Sequence, residues 1–318
     1  MRPTPKVSVI MSVYNGEPFV GEAVASILSQ TFSDFEFLVV DDASTDGTRD
    51  YLLSVGDSRL VVLQNEANIG RTPSLNKAIR SARGEYLARQ DADDVSLPER
   101  IERQVAYLDT HPTVGLVGTR VDWIDEQGRR LDRPPFPTQY DNAAIQQQLL
   151  VNCCFAHGSV MFRRQALEEA GGGYNEAWNE TEDWELWLRM TEGWDGANLD
   201  EPLYRYRWHS AMASVRNRDD QVRLGSLARD LAVKRRLRAG RAAFGLGRAG
   251  SPAWVGRARR RWLARRYVWW SAGARAVSRR HALLFLLIAL AWHPFVRETW
   301  HYLGGTLRRK LAPSLQWD

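Results

Sequence analysis

Three aspartates fall within one short stretch, at Asp91, Asp93 and Asp94, and a second acidic pair stands at Glu182-Asp183. The first cluster concentrates negative charge in a way that is costly without a compensating cation. Mg2+ or Mn2+ suits it, because either ion takes one or two protein carboxylates and completes its octahedron with phosphate oxygens and water. The same residues also suit a solvated acidic turn ahead of a helix, where Asp caps free N–H groups and meets the helix dipole. Glu182-Asp183 opens a segment in which Trp184, Trp187 and Leu188 fall at helical spacing, an apolar stripe that anchors the acids. Thr181 is placed to cap that helix, and its N-terminal dipole favours an ionised Asp183, a carboxylate that can accept a proton near neutral pH. An ordinary first-turn acid is the plainer reading. No Ser/His or Cys/His arrangement offers a covalent nucleophile.

Elements that would carry these residues are legible along the first half of the chain. Lys6–Val13, Phe35–Val40, Leu60–Leu63 and Glu85–Arg89 read as strands. Between them, Glu17–Gln30, Thr72–Ala82 and Leu97–Leu108 read as helices, the first with Val20, Val24, Ile27 and Leu28 on one face. Such alternation predicts an α/β fold with a mostly parallel sheet covered on both faces, and ligands bind at the carboxyl ends of such strands. Three sequences stand there: Val13-Tyr14-Asn15-Gly16-Glu17, the run from Asp41 to Gly47, and Asp91-Ala92-Asp93-Asp94. No G-x-G-x-x-G follows the first strand and no G-x-x-x-x-G-K-[ST] occurs anywhere, which excludes a dinucleotide or P-loop phosphate cradle.

At 318 residues, with 44% apolar and 25% charged side chains, the chain is neither disordered nor a multi-span membrane protein. The adjacent Cys153 and Cys154 cannot staple distant segments and indicate a reducing compartment. The apolar run VSVIMSV lacks a cleavage site and reads as a buried strand, not a signal peptide. The net charge of +5 hides a division: residues 229–281 carry sixteen Lys or Arg and one acid, leaving −12 on residues 1–228. Seven of the thirteen tryptophans also lie beyond residue 250, so we expect a domain over 1–228 and a helical, basic and aromatic appendage over 229–318. RARRRWLARR at 257–266, followed by Tyr267, Trp269 and Trp270, suits a helix lying in an anionic headgroup layer. Packing of these arginines on the acidic domain is the alternative, and the absence of a nucleic-acid module speaks against nucleic acid. Ala282–Val296 is too short to span a bilayer.

Seven blocks in order resemble glycosyltransferase family 2: residues 7–32, FLVVDDASTDGT (37–48), NEANIGRTPSLNKAI (65–79), ARGEYLARQDADD (82–94), HGSVMFRR (157–164), TEDWELWLRM (181–190) and YRWHSAMAS (206–214). The resemblance implies a GT-A fold and metal-dependent, inverting hexosyl transfer from a nucleotide sugar. It implies further that Val13, Tyr14 and Glu17 line the base and ribose pocket, that Asp41 or Asp42 contacts the base, and that Arg71 contacts the diphosphate. Asp91 and Asp93 match the D-x-D pair, Asp93 being the direct ligand of Mn2+ or Mg2+ and Asp91 standing nearer the ribose or a metal-bound water. His209 matches a residue completing the metal or diphosphate site, Asp183 the general base, and His157 a position on the acceptor side. Processive polymerases of the family carry Q-x-x-R-W and several spans, absent here, so addition of one or a few sugars is expected. The acceptor expected is a lipid-linked sugar or polysaccharide precursor, reached from the cytoplasmic face of the cell membrane. A non-catalytic nucleotide-sugar-binding or membrane scaffold protein of the same fold is the alternative.

Overall fold

The computed structural model describes residues 4–132, 136, 138–210, 212 and 218–238. In chain order these form β1 (Val7–Val13), α1 (Val20–Leu28), β2 (Phe35–Asp41), α2 (Thr48–Ser54), β3 (Leu60–Gln64), α3 (Arg71–Ser81), β4 (Tyr86–Arg89), β5 (Val95–Ser96), α4 (Arg100–Thr110) and β6 (Val114–Ile124). They continue with α5 (Asn142–Leu149), β7 (Met161–Arg163), α6 (Arg164–Glu169), α7 (Glu182–Met190), β8 (Asp195–Arg207) and α8 (Arg218–Arg238).

The strands make one eight-stranded sheet in the order β3-β2-β1-β4-β7-β6-β8-β5. Pairs β1–β2, β1–β4, β2–β3 and β6–β8 are parallel; β4–β7, β6–β7 and β5–β8 are antiparallel. Successive side chains of a strand face opposite ways, and β1 obeys this on a sheet buried from both sides. Val9 and Met11 join α1, α2 and α4 through Val24, Ile27, Leu52, Ile101 and Val105, whereas Ile10 joins α3, α5 and α7 through Leu75, Ile145 and Trp187. That two-sided burial explains why the strands read as unbroken apolar runs. The order turns back at β1, between β2 and β4, so the ends of β1, β2 and β4 converge where ligands of such sheets bind.

Several elements were not anticipated, among them α2, α5, α6 and the strands β5 to β8, and two of the unanticipated features bear on the site. The strand β8 lies parallel to β6 across several register shifts and pairs antiparallel with the two-residue β5 just after the aspartate cluster. Helix α8 runs through residue 229, so the compositional change falls inside a helix, and its Ala228 and Ala232 join the core that holds α7. No helix of the described residues is long and apolar enough to cross a membrane. The segments at 257–300 and Ala282–Val296 lie outside the described residues.

Candidate functional site

The ends of β1 and β2 are sewn to each other. Backbone N–H groups of Asn15, Gly16 and Glu17 donate to Ser44 Oγ (3.0 Å), Thr48 Oγ1 (2.9 Å) and Asp46 Oδ2 (3.1 Å). In return Asn15 Oδ1 accepts from the Thr45 N–H (2.8 Å) and Glu17 Oε2 from the Gly47 N–H (3.1 Å). Asn15 and Ala43 both hold a left-handed backbone (φ 51° and 60°), uncommon outside glycine and fixed here by this stitching. Against this wall Val13 is buried, Tyr14 presents its ring to solvent, and the Glu17 carboxylate is engaged by the facing loop.

The two adjacent aspartates that sequence left equivalent differ in surroundings. Asp42 is saturated by the protein, accepting from Asn65 Nδ2 (2.8 Å) and from the N–H groups of Ile69 (3.0 Å) and Gly70 (2.8 Å). It thereby fixes the loop that leads into α3. Asp41 accepts one bond, from the Ser44 N–H (3.2 Å), and its buried Oδ2 has no protein partner.

In the aspartate turn only two of the three carboxylates, those of Asp91 and Asp93, remain partly exposed. Asp94 is buried, its Oδ1 accepting the Arg207 N–H at 2.7 Å, and burial followed by the charges of Asp93 and Asp91 drives its pKa well upward. The expected trio of clustered charges is therefore a pair, because β8 draws the third inward. Asp91 Oδ1 accepts from Arg89 Nη2 at 2.6 Å; burial raises its pKa against the pull of Arg89. Asp93 Oδ2 lies 2.9 Å from His209 Nε2, and the imidazole is tilted against Phe19 with centroids 5.0 Å apart. Among the described residues no three His, Cys, Asp or Glu side chains are grouped to hold a metal. The chain instead offers a two-residue edge whose spacing matches adjacent ligands of an octahedral ion with arms of about 2.1 Å, so the residues fit Mg2+ or Mn2+ completed by phosphate and water.

The first turn of α7 is linked to the aspartate turn through Arg71, which pairs with Glu182 and lies within electrostatic reach of Asp91. The stripe of α7 is anchored as expected: Trp184, Trp187 and Leu188 are buried, and Trp184 Nε1 donates to Leu149 O at 2.8 Å. Thr181 occupies the cap position, but its hydroxyl makes no capping bond; Asp183 Oδ1 accepts the Trp184 N–H at 2.7 Å instead. Arg71, at the start of α3, is bound by Glu182 Oε1 through Nε (2.8 Å) and by Asn179 O through Nη2 (3.0 Å). Burial lifts Glu182 to a pKa of about 7, Arg71 opposing and Asp183 reinforcing the shift. His157 Nε2 meets the Tyr174 hydroxyl at 2.8 Å beside Trp187, and burial, then Arg89 and Arg71, holds its pKa well down. Burial raises the pKa of the Tyr174 hydroxyl, with Arg89 opposing and Glu182, Asp183 and Asp91 adding to the shift, so this hydroxyl lies within electrostatic reach of both the first turn of α7 and the aspartate turn.

The Glycosyl transferase family 2 profile matches residues 8–171, which contain both stitched loops and the aspartate turn. The chain belongs to glycosyltransferase family 2. EpsE of Bacillus subtilis (strain 168), named for a glycosyltransferase, is 40% identical over 215 residues, 65% of this chain and 74% of its own. The UDP-Glc:alpha-D-GlcNAc-diphosphoundecaprenol beta-1,3-glucosyltransferase WfaP of Escherichia coli is 25% identical over 229 residues, 72% of this chain and 87% of its own. In fold, the family 2 chain is similar to S. aureus TarS 1-349 in complex with UDP-GlcNAc, with a TM-score of 0.62 at 18% identity over 98% of this chain and 94% of that one. The mannosyltransferase PcManGT of Pyrobaculum calidifontis, in complex with GDP-Man and Mn2+, superposes with a TM-score of 0.55 at 21% identity over 98% and 88%. The fold is thus GT-A, and this family 2 member is an inverting glycosyltransferase that uses a nucleotide sugar.

Tyr174, Arg89 and Tyr204, whose hydroxyl accepts the Asp91 N–H at 3.2 Å, were not singled out in the sequence, and Arg207 stood there only inside a matching block. All four are buried, and a single buried Arg or Tyr carries no sequence signature. Glu182 was visible as the neighbour of Asp183, but its bond to Arg71 was not.

Proposed function

We propose that the enzyme moves a hexosyl group from a nucleotide diphosphate sugar to a hydroxyl of a lipid-linked saccharide or polysaccharide precursor, with Mn2+ or Mg2+ held by Asp93 and His209 and Asp91 beside it. The observation that carries this reading is the 2.9 Å edge between Asp93 Oδ2 and His209 Nε2, with Arg71, paired to Glu182 beside Asp183, within electrostatic reach of Asp91. PcManGT, similar in fold, is described with Mn2+, and the relative WfaP with a diphosphoundecaprenol-linked acceptor. When bound, the ion supplies charge neutralisation at the departing diphosphate.

The chain's own residues account for the remaining steps. Asp183 accepts the proton of the attacking hydroxyl while that oxygen displaces the diphosphate in line, inverting the anomeric carbon. Glu182 holds the Arg71 guanidinium at the mouth of α3, where its positive charge favours the diphosphate. The exposed Tyr14 ring gives the base a stacking face beside Val13, and the unpaired Asp41 oxygen gives an N–H of the base its acceptor. Glu17 and Asp42 hold the two loops between which the nucleotide sits. His157, tied to Tyr174, borders the acceptor side.

The electrostatic division into an acidic 1–228 and a basic 229–318 supports a peripheral place on the cytoplasmic face of the membrane, with 257–300 against anionic lipid. Salt-sensitive sedimentation with anionic liposomes, retained by the full chain and lost when residues 257–300 lose their arginines, tests that part. The reaction is tested by release of nucleoside diphosphate from UDP-, GDP- and dTDP-sugars with Mn2+, Mg2+ or EDTA, with membrane extract as acceptor. Release that needs metal and disappears in Asp93→Ala supports the reading, and metal-independent turnover overturns the metal site.

A further inference from the structure

Arg207 closes the end of β8, and its side chain is 1% exposed. Nε donates to Asp93 O (2.7 Å), Nη1 to Asp125 O (3.0 Å) and Glu126 O (3.2 Å), and Nη2 to the Glu22 carboxylate on α1. The backbone N–H of the same residue takes Asp94 Oδ1 at 2.7 Å. Above the guanidinium lies the Phe19 ring, with its centroid 4.9 Å from Cζ, and that ring also contacts the His209 imidazole. One side chain thus ties α1, the aspartate turn, the 125–126 turn and the end of β8, two residues before His209. A fully buried guanidinium is costly unless every donor is used, and only a planar five-donor fork meets this many acceptors at once. Glu22, whose side chain is 53% exposed, supplies the balancing charge from the surface.

We propose that Arg207 and Phe19, with Glu22 as counter-ion, are positioning residues for the Asp93–His209 pair. Arg207 holds the main chain of Asp93 from below, and Phe19 fixes the plane of the imidazole. Together they set carboxylate and imidazole at the separation at which both reach one divalent cation. The inference rests on the metal reading given above for that pair. Groups that orient metal ligands without touching the ion typically contribute about 10- to 100-fold to metal affinity.

The test is a titration of the full chain with Mn2+ alone, with free Mn2+ read by electron paramagnetic resonance, below the unfolding temperature of each variant. Wild type binds and Asp93→Asn does not. Arg207→Lys keeps the charge but loses the fork, and Phe19→Leu keeps an apolar contact but loses the flat ring; each weakens Mn2+ binding by about 10- to 100-fold. Glu22→Gln weakens it by no more than about fivefold, the worth of a half-exposed pair. In turnover, Arg207→Lys and Phe19→Leu raise the Mn2+ concentration needed for half-maximal rate, and saturating Mn2+ restores kcat. Where Arg207→Lys does not fold, Phe19→Leu decides alone. Mn2+ binding lost in Asp93→Asn but unchanged in Arg207→Lys and Phe19→Leu overturns this inference alone, whereas no binding by wild type overturns the metal reading and this inference with it.

Discussion

Arg71 and Glu182 form an ion pair at 2.8 Å that joins the first turns of α3 and α7. The partners are unequal: Arg71 reaches solvent and Glu182 is sealed in. The carboxylate therefore carries the desolvation cost, and its pKa of about 7 lies above its ordinary value of 4.5.

A stability slope follows from that inequality. Between about pH 4.5 and pH 7 the folded chain holds a proton at Glu182 that the unfolded chain has released, so this contribution is complete at low pH and is lost as pH rises through 7. Glu182→Gln removes the slope. Thermal unfolding at pH 5 and pH 8 is expected to show wild type losing ground to Glu182→Gln by on the order of 2–3 kcal/mol. A gap that stays constant across the range would mean that Glu182 titrates as an ordinary carboxylate.

Asp183→Asn keeps the size of the side chain and its bond to the Trp184 N–H while removing the proton acceptor. Transfer is expected to fall by about 10²- to 10⁴-fold with donor affinity unchanged. Near-wild-type transfer would remove Asp183 from the base role.

Asp41 and Asp42 are expected to fail in opposite ways. Asp42→Ala strands the three donors that hold the 65–70 loop and costs about 1–3 kcal/mol of stability. Asp41→Asn keeps an oxygen to accept the Ser44 N–H, so it is expected to cost less stability than Asp42→Ala and to weaken nucleotide binding. Denaturant melts and calorimetric titration with UDP and GDP separate the two; equal behaviour would return both aspartates to one role.

Gly158 is a sensitive point despite lying outside the acidic motifs. A Cβ there would collide with the Tyr204 hydroxyl and stand 2.7 Å from Asp91 Oδ2. Gly158→Ala is expected to cost about 1–3 kcal/mol and to displace Asp91, lowering turnover more than stability explains. Full activity in a destabilised Gly158→Ala protein would show that Asp91 tolerates the shift.

Sequence disclosed the parts of this site that lie on local pattern. The apolar runs of β1 and β2, the helical spacing of Trp184, Trp187 and Leu188, and the acids at strand ends all follow from neighbours along the chain. What escaped depends on long-range pairing. The register of β8 decides that Asp94 turns inward and Asp93 outward, and nothing near residue 94 encodes it. The distinction between Asp41 and Asp42 likewise comes from Asn65, Ile69 and Gly70, more than twenty residues away. Thr181 shows the converse: a suitable residue at a cap position whose hydroxyl the local geometry leaves unused.

Gly225 on α8 lies so close to Trp184 that a Cβ would stand 2.4 Å from its ring. With Ala228 and Ala232 it makes a flat seam of small residues, at i, i+3 and i+7, against the helix that carries Asp183. Any larger residue at 225 must push the Trp184 indole aside, so a helix remote in sequence sets how deeply the first turn of α7, and Asp183 with it, is seated.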